Sequence, residues 1–273
     1  MAPPFRPTIA PLLANKDPAA GSVFVPAALL REARRQKGLR DVPVPAICLL
    51  DPDGDLVRVL RRTGQAQPFA GWPCYHTAMD SFLLGGVPVG IIGCAVGAPF
   101  AVLVAEELFA CGCRLLLSLT SAGQIVPAGP APHFVVIDRA LRDEGTSYHY
   151  AEPAAFAAAD PALVAAARTA LEAAGLPARV GASWTTDAPF RETVQAIEAA
   201  RAHGILAVEM EAAALYSFAA ARGGAVLCLA HVTNTMGQAE GDFEKGAADG
   251  TEEALAVLAA LVRALAPPAD GVR

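Results

Sequence analysis

Ile205-Leu206-Ala207-Val208-Glu209-Met210-Glu211-Ala212-Ala213-Ala214-Leu215-Tyr216 joins a short apolar run, two carboxylates and the start of an alanine-rich helix. The run Ile205–Val208 has the length and branching of a buried strand, and Ala212–Arg222 has the composition of a helix that stops at Gly223. A strand that delivers polar residues straight into a helix is the repeating unit of α/β proteins. The same alternation runs outward in both directions. Strands are expected at Val44–Leu50, Val87–Ala95, Arg114–Thr120, His133–Asp138, Arg179–Thr186 and Ala225–Val232. Helices are expected at Pro26–Gly38, Pro99–Gly112, Pro161–Gly175, Arg191–His203 and Glu252–Leu265. Asp160 before Pro161 reads as an N-cap followed by a first-turn proline. Strands separated by helices of this length imply an α/β fold with a largely parallel sheet.

No linker, repeat or shift of composition divides the chain, so residues 1–273 are expected to form a single domain. Pro127–Pro132 reads as a surface loop and Pro267–Arg273 as a frayed tail. Met1–Pro11 lacks the apolar core of a signal peptide. Ser81–Ala105 carries no charge, but its glycines and prolines read as turn, buried strand, Gly-rich loop and helix, not as a membrane span. A soluble, cytoplasmic protein is expected.

With 54% hydrophobic and 18% charged residues the chain can bury a large core. Its net charge of −6 and the absence of a basic block argue against nucleic acid as a partner. The six cysteines read as buried free thiols, and Cys111-Gly112-Cys113 has no matching pair with which to hold zinc. No metal constellation emerges.

In open α/β sheets ligands gather at the carboxyl ends of strands. Val96-Gly97-Ala98-Pro99, Thr120-Ser121-Ala122-Gly123, Glu209-Met210-Glu211 and Val232-Thr233-Asn234-Thr235 all stand at such ends. If the chain stays extended through Met210, Glu209 and Glu211 share a face and together suit the vicinal hydroxyls of a ribose. A charge in the first turn of a helix is the commoner reading of that spacing taken alone. Arg142–Tyr150 and Trp184–Arg191 are further polar segments after strands, each readable as a solvated loop or as part of a shared cleft. His231 reads as a satisfied core histidine and His203 as a helix-terminal one.

Glu209-Met210-Glu211-Ala212 resembles the ribose-binding signature of the nucleoside phosphorylase superfamily. Arg142–Tyr150 and Thr185–Thr193 resemble the uridine phosphorylase-like branch, and Gly93–Pro99, Ala105-Glu106-Glu107-Leu108 and Ser121-Ala122-Gly123 fit in order between Ala46 and Leu265. The resemblance implies a three-layer fold with a mixed, partly barrel-like sheet flanked by helices. It implies a homo-oligomer, a hexamer or trimer of dimers, with no cofactor and with phosphate as a co-substrate. Met210 would pack on the sugar, Glu211 would accept its hydroxyls, and Glu209 would support the site. Ser121 would touch phosphate and sugar, and Gly123 would lie beside the base. Asp187, Phe190 and Arg191 would form the base-facing loop, with Arg191 and Asn234 supporting the departing base. His149 and His76 are further candidates to line the cleft.

The departures bear on the acceptor. Where the family's phosphorylases carry Gly-Asp-Pro-Gly-Arg, this chain reads Leu50-Asp51-Pro52-Asp53-Gly54, so the phosphate arginine is absent unless Arg58 reaches in. A second such arginine corresponds to Ser118, and the region of a third, from a neighbouring subunit, reads Cys74-Tyr75-His76. Losing guanidiniums removes the clamps that suit a phosphate dianion. Phosphorolysis of a nucleoside, pyrimidine in preference to purine, is the leading expectation. The alternatives are phosphate-independent hydrolysis, with His76, Glu209 or Glu211 positioning water, and a non-catalytic nucleoside binder or an enzyme for a modified nucleoside.

Overall fold

In a computed structural model the described residues are 10–176, 178–236, 243 and 245–267. Most of Met1–Pro11 and of the Pro267–Arg273 tail lies outside them. In chain order the elements are α1 (Pro26–Lys37), β1 (Ile47–Asp51), α2 (Asp55–Arg62), β2 (Gln67–Pro68), β3 (Asp80–Leu84), β4 (Val87–Gly93) and α3 (Ala98–Ala110). There follow β5 (Leu115–Gln124), β6 (His133–Asp143), β7 (Phe156–Ala158), α4 (Pro161–Ala173), β8 (Ala178–Thr186), α5 (Val194–Ala202), β9 (Ala207–Glu209), α6 (Ala212–Arg222), β10 (Ala225–Asn234) and α7 (Thr251–Leu265).

Five strands close on themselves: β10 pairs β6, β6 pairs β8, β8 pairs β9, β9 pairs β5, and β5 pairs β10 again. Three parallel pairings (β10–β5, β6–β8, β8–β9) and two antiparallel ones (β10–β6, β5–β9) make up this ring, so the barrel is mixed. From β5 the sheet continues open through β1, β4, β3 and β2. Leu116, Cys48 and Ile92 face one core with α1, α3 and α6, whereas Leu115, Leu117, Leu49 and Ile91 face another with α2, α4 and α7. That alternation along each strand makes the three layers. A smaller cluster of Ile125, Ala182, Trp184, Ala200 and Ile205 seats α5.

The helix stops and starts follow local chemistry. Gly38 and Gly223 end α1 and α6 in the left-handed region, at φ 65° and 68°. The Asp160 side chain caps α4 by accepting from the Ala162 N–H.

Several expectations need correction. α2 stands in a stretch to which no element was assigned, because the Asp51 carboxylate accepts the Gly54 and Val57 N–H groups and turns the chain directly into a helix. Ser81, read as part of a turn, belongs to strand β3, whose Asp80, Phe82 and Leu84 are buried while Leu83 is exposed. β6 does not end at Asp138 but runs to Asp143, held by β7 and β8, so Arg142 is buried and not part of a solvated loop. α5 begins at Val194, capped by Thr193, and not at Arg191. Five cysteines are buried free thiols, but Cys94 is exposed, in the left-handed region (φ 64°) just past the end of β4. His231 is buried and stacked on Phe134, but its Nε2 has no hydrogen-bond partner, so it is a core residue without being a satisfied one. No described helix is long and apolar enough to cross a membrane.

Candidate active site

The site forms where the ends of β1, β5 and β9 meet the start of α3. β9 ends at Glu209, so the extended conformation does not carry through to Glu211, which is the N-cap residue of α6 (φ −130°, ψ −36°). The two carboxylates still lie together, but their work is divided. Glu209 Oε1 accepts the hydroxyls of Ser183 at 2.9 Å and Thr185 at 2.5 Å. Its Oε2 accepts the N–H groups of Glu211 and Ala212, both at 2.7 Å. Thr185 is held in turn, accepting the Ala213 N–H at 2.9 Å. Glu209 is thus wholly engaged by the protein and fixes the turn that carries its neighbour.

Glu211 is 1% exposed, and its Oε1 accepts the Gly97 N–H at 2.7 Å. Gly97 caps α3 with φ 89°, a conformation that favours glycine, and the chain can therefore bring this N–H onto the carboxylate. Glu211 Oε2 is buried and has no hydrogen-bond partner among the described residues. A buried, unsatisfied acceptor is rare unless a ligand completes it. Burial, reinforced by the Glu209 charge, pushes the Glu211 carboxyl up to about 8; the Gly97 N–H and the Thr120 hydroxyl oppose this, and the Asp53 charge adds to it. No guanidinium is among these influences. Burial likewise raises Glu209, against the pull of its four hydrogen bonds.

Asp53 comes from the turn between β1 and α2. Asp51 builds that turn and is itself pushed up to about 6 by burial. Asp53 Oδ2 accepts the main-chain N–H of Ser121 at 2.7 Å. Two main-chain donors at the mouth of the site, Gly97 and Ser121, therefore each face a carboxylate of the chain itself. Arg58 does reach the Gly54 turn: its Nη1 lies 2.9 Å from where a Gly54 β carbon would stand. It is held there on the Asp53 carbonyl at 3.1 Å and on the Asp55 carboxylate, with its side chain 58% exposed. Ser118 is buried, two residues before Thr120 on the same strand, and its hydroxyl has no hydrogen-bond partner among the described residues.

Two residues past Ser121 on β5, Gly123 pairs with Asn234 of β10. The Asn234 amide donates to the Ala122 carbonyl and the Thr233 hydroxyl, each at 3.4 Å, and its Oδ1 accepts the Met236 N–H at 2.9 Å. A β carbon on Gly123 would meet the Met236 sulfur and would stand 3.2 Å from Val208 and 3.3 Å from Asn234 Oδ1.

The structure thus brings Ser121, Gly123, Glu209, Met210, Glu211 and Asn234 to one set of adjoining strand ends. It does not draw the other candidates into contact with them. Phe190 is 99% exposed and Arg191 exposed, on the short turn Pro189–Arg191. Asp187 accepts the Gly145 N–H at 2.8 Å and ties that loop to the turn after β6. His149 pairs with Lys16 at 3.1 Å beside a separate groove of about 770 Å³ lined by Phe24, Pro99, Thr146 and Tyr150. His76 is exposed near Glu107. Among the described residues no cluster of ligands fits a metal ion. Sequence reasoning missed the roles of Ser183 and Asp53. The departure at Leu50–Gly54 was the signal for Asp53, since it puts a carboxylate where the resemblance has a glycine.

Residues 46–266 match the model of the phosphorylase superfamily. The chain belongs to that superfamily. It is 30% identical over 195 residues to a uridine phosphorylase of Thermococcus kodakarensis, an alignment covering 64% of this chain and 68% of that one. Two solved structures of uridine phosphorylase from Vibrio fischeri ES114 share the fold. One has a TM-score of 0.68 at 24% identity, covering 85% of this chain and 96% of that one. The other, complexed with 6-hydroxy-1-naphthoic acid, has a TM-score of 0.66 at 23% identity over 82% and 90%.

Proposed function

We propose that this protein cleaves the N-glycosidic bond of a nucleoside, with the ribose held on Glu211 and water as the acceptor. The observation that carries this reading is Glu211: one oxygen is fixed on Gly97 while the other is buried and unpartnered. A ribose hydroxyl donating to Oε2 would satisfy that acceptor and favour the charged carboxylate. Loss of the base leaves positive charge on the sugar ring. A pocket holding Glu211, Glu209 and Asp53 stabilises that charge as it develops. Asp53, and Glu211 once a bound ribose favours its ionised form, repel a phosphate dianion. A water molecule carries no such penalty, and a carboxylate at the acceptor side can take its proton as it attacks C1′.

Phosphorolysis is the second reading, favoured by the likeness to uridine phosphorylases. That likeness also favours a pyrimidine nucleoside as substrate in either case. The test is release of free base from a panel of nucleosides, with and without inorganic phosphate. Equal release in both supports hydrolysis. Release only with phosphate supports the second reading and overturns the first. No release from any nucleoside overturns both.

A further inference from the structure

The donors at the mouth of the site could serve an external oxyanion. Gly97 offers its N–H at the start of a thirteen-residue helix, and Ser121 offers its N–H at a strand end. Both are occupied from within, by Glu211 Oε1 and Asp53 Oδ2. The two occupants differ. Glu211 is anchored by a turn that Glu209 holds through two N–H groups, and its other oxygen is buried and free. Asp53 is half-buried, on a turn built by Asp51, and it reaches across from β1 to the next strand. Beside it the Arg58 guanidinium lies over Gly54, donating to the Asp53 carbonyl and paired with the Asp55 carboxylate. The buried, unpartnered Ser118 hydroxyl adds a further polar group on the same strand.

We infer that Asp53 is the residue that selects the acceptor: its carboxylate stands in for an oxyanion on the Ser121 N–H and so keeps inorganic phosphate out. This inference deepens the hydrolytic reading and rests on it for its catalytic meaning. Its binding claim stands separately. With Asp53 cut back, the Ser121 N–H is left without an acceptor and one negative charge leaves the pocket, while Arg58 keeps its hold on the residue 53 carbonyl and the Asp55 carboxylate at the rim. An oxyanion then completes the donors that Asp53 had completed.

The test is binding of inorganic phosphate, followed by melting temperature, to the full-length protein and to Asp53→Gly and Asp53→Asn. Sulfate serves as a second oxyanion of the same shape. Phosphate at about 10 mM is expected to leave wild type and Asp53→Asn unmoved, since asparagine keeps an oxygen on Ser121. The same phosphate is expected to raise the melting temperature of Asp53→Gly by about 2–4 °C, as a millimolar ligand does. If Asp53→Gly is too unstable to melt cooperatively, Asp53→Ser makes the same comparison. A folded Asp53→Gly or Asp53→Ser with no response to either anion overturns the inference. So does a wild-type response as large as the variant's. Neither outcome depends on turnover, so failure here is distinct from failure of the hydrolytic reading, which base release in phosphate-free buffer decides.

Discussion

Glu209 Oε2 accepts the main-chain N–H of Glu211 at 2.7 Å, so one carboxylate of the pair is the scaffold of the other. Removing it orphans two N–H groups and leaves the Ser183 and Thr185 hydroxyls to rearrange. Glu209→Ala is expected to lose about 2–4 kcal/mol of stability, measured by urea denaturation. Glu209→Gln keeps the shape and takes away a charge. It is expected to fold and to bring the Glu211 carboxyl down toward the ordinary range, visible as a shift of its titration in carboxyl-labelled NMR. An unchanged Glu211 titration would mean that the pair is not coupled.

Burial and the neighbouring Glu209 charge push the Glu211 carboxyl up to about 8. A ribose that donates to it favours the ionised form, so nucleoside binding below pH 8 is expected to release a proton. Calorimetry in buffers of different ionisation enthalpy measures this directly. The sign for stability follows from the same shift. A carboxyl raised on folding contributes stability that is full below its unfolded value near 4.5 and is lost as the pH rises through about 8. Glu211→Gln should therefore melt with a flatter pH profile than wild type between these limits. Its turnover should fall by about a hundredfold to a thousandfold. Unchanged turnover would remove Glu211 from the site.

Gly123 has no room for a side chain, because a β carbon would meet Met236 and press on Val208 and Asn234. Gly123→Ala is expected to cost about 1–3 kcal/mol in stability through overpacking. It should also raise KM about tenfold while kcat changes less, since the crowding falls beside Asn234 and Met236 and not on Glu211. A variant with wild-type kinetics would place the base elsewhere.

Arg142 is buried, and its guanidinium closes the turn after β6. It donates to the Ser147 hydroxyl at 2.8 Å and to the carbonyls of Glu152 at 2.6 Å and Ala151 at 3.2 Å, over the ring of Tyr148. Arg142→Met is expected to destabilise the protein by about 2–4 kcal/mol. Amide exchange should quicken across residues 144–152 first. Protection equal to wild type in that segment would contradict this structural role.

The α/β class was legible because apolar strands and alanine-rich helices alternate with glycine stops between them, as at Gly38 and Gly223. The closed ring was legible only through the resemblance, since the pairing of β5 with both β9 and β10 joins strands far apart in the chain. The short helix α2 was hidden because its cause is the side chain of Asp51, not apolar spacing. In the site, Glu209 and Glu211 could be read as a pair. That one of them would spend all its acceptors on Ser183, Thr185 and the α6 turn could not, since β8 is brought beside β9 only by folding. The loop carrying Asp187, Phe190 and Arg191 was given its base-facing role by the resemblance, while its polarity alone left open the exposed turn that it forms.

If the Glu211 pocket passes a ribosyl group to water, the sugar product that wild type forms from a nucleoside in phosphate buffer reveals it. Free ribose, formed in one-to-one yield with the base and at the same rate when phosphate is left out, is the result expected. Ribose 1-phosphate as the product, with no base released in phosphate-free buffer, would contradict it.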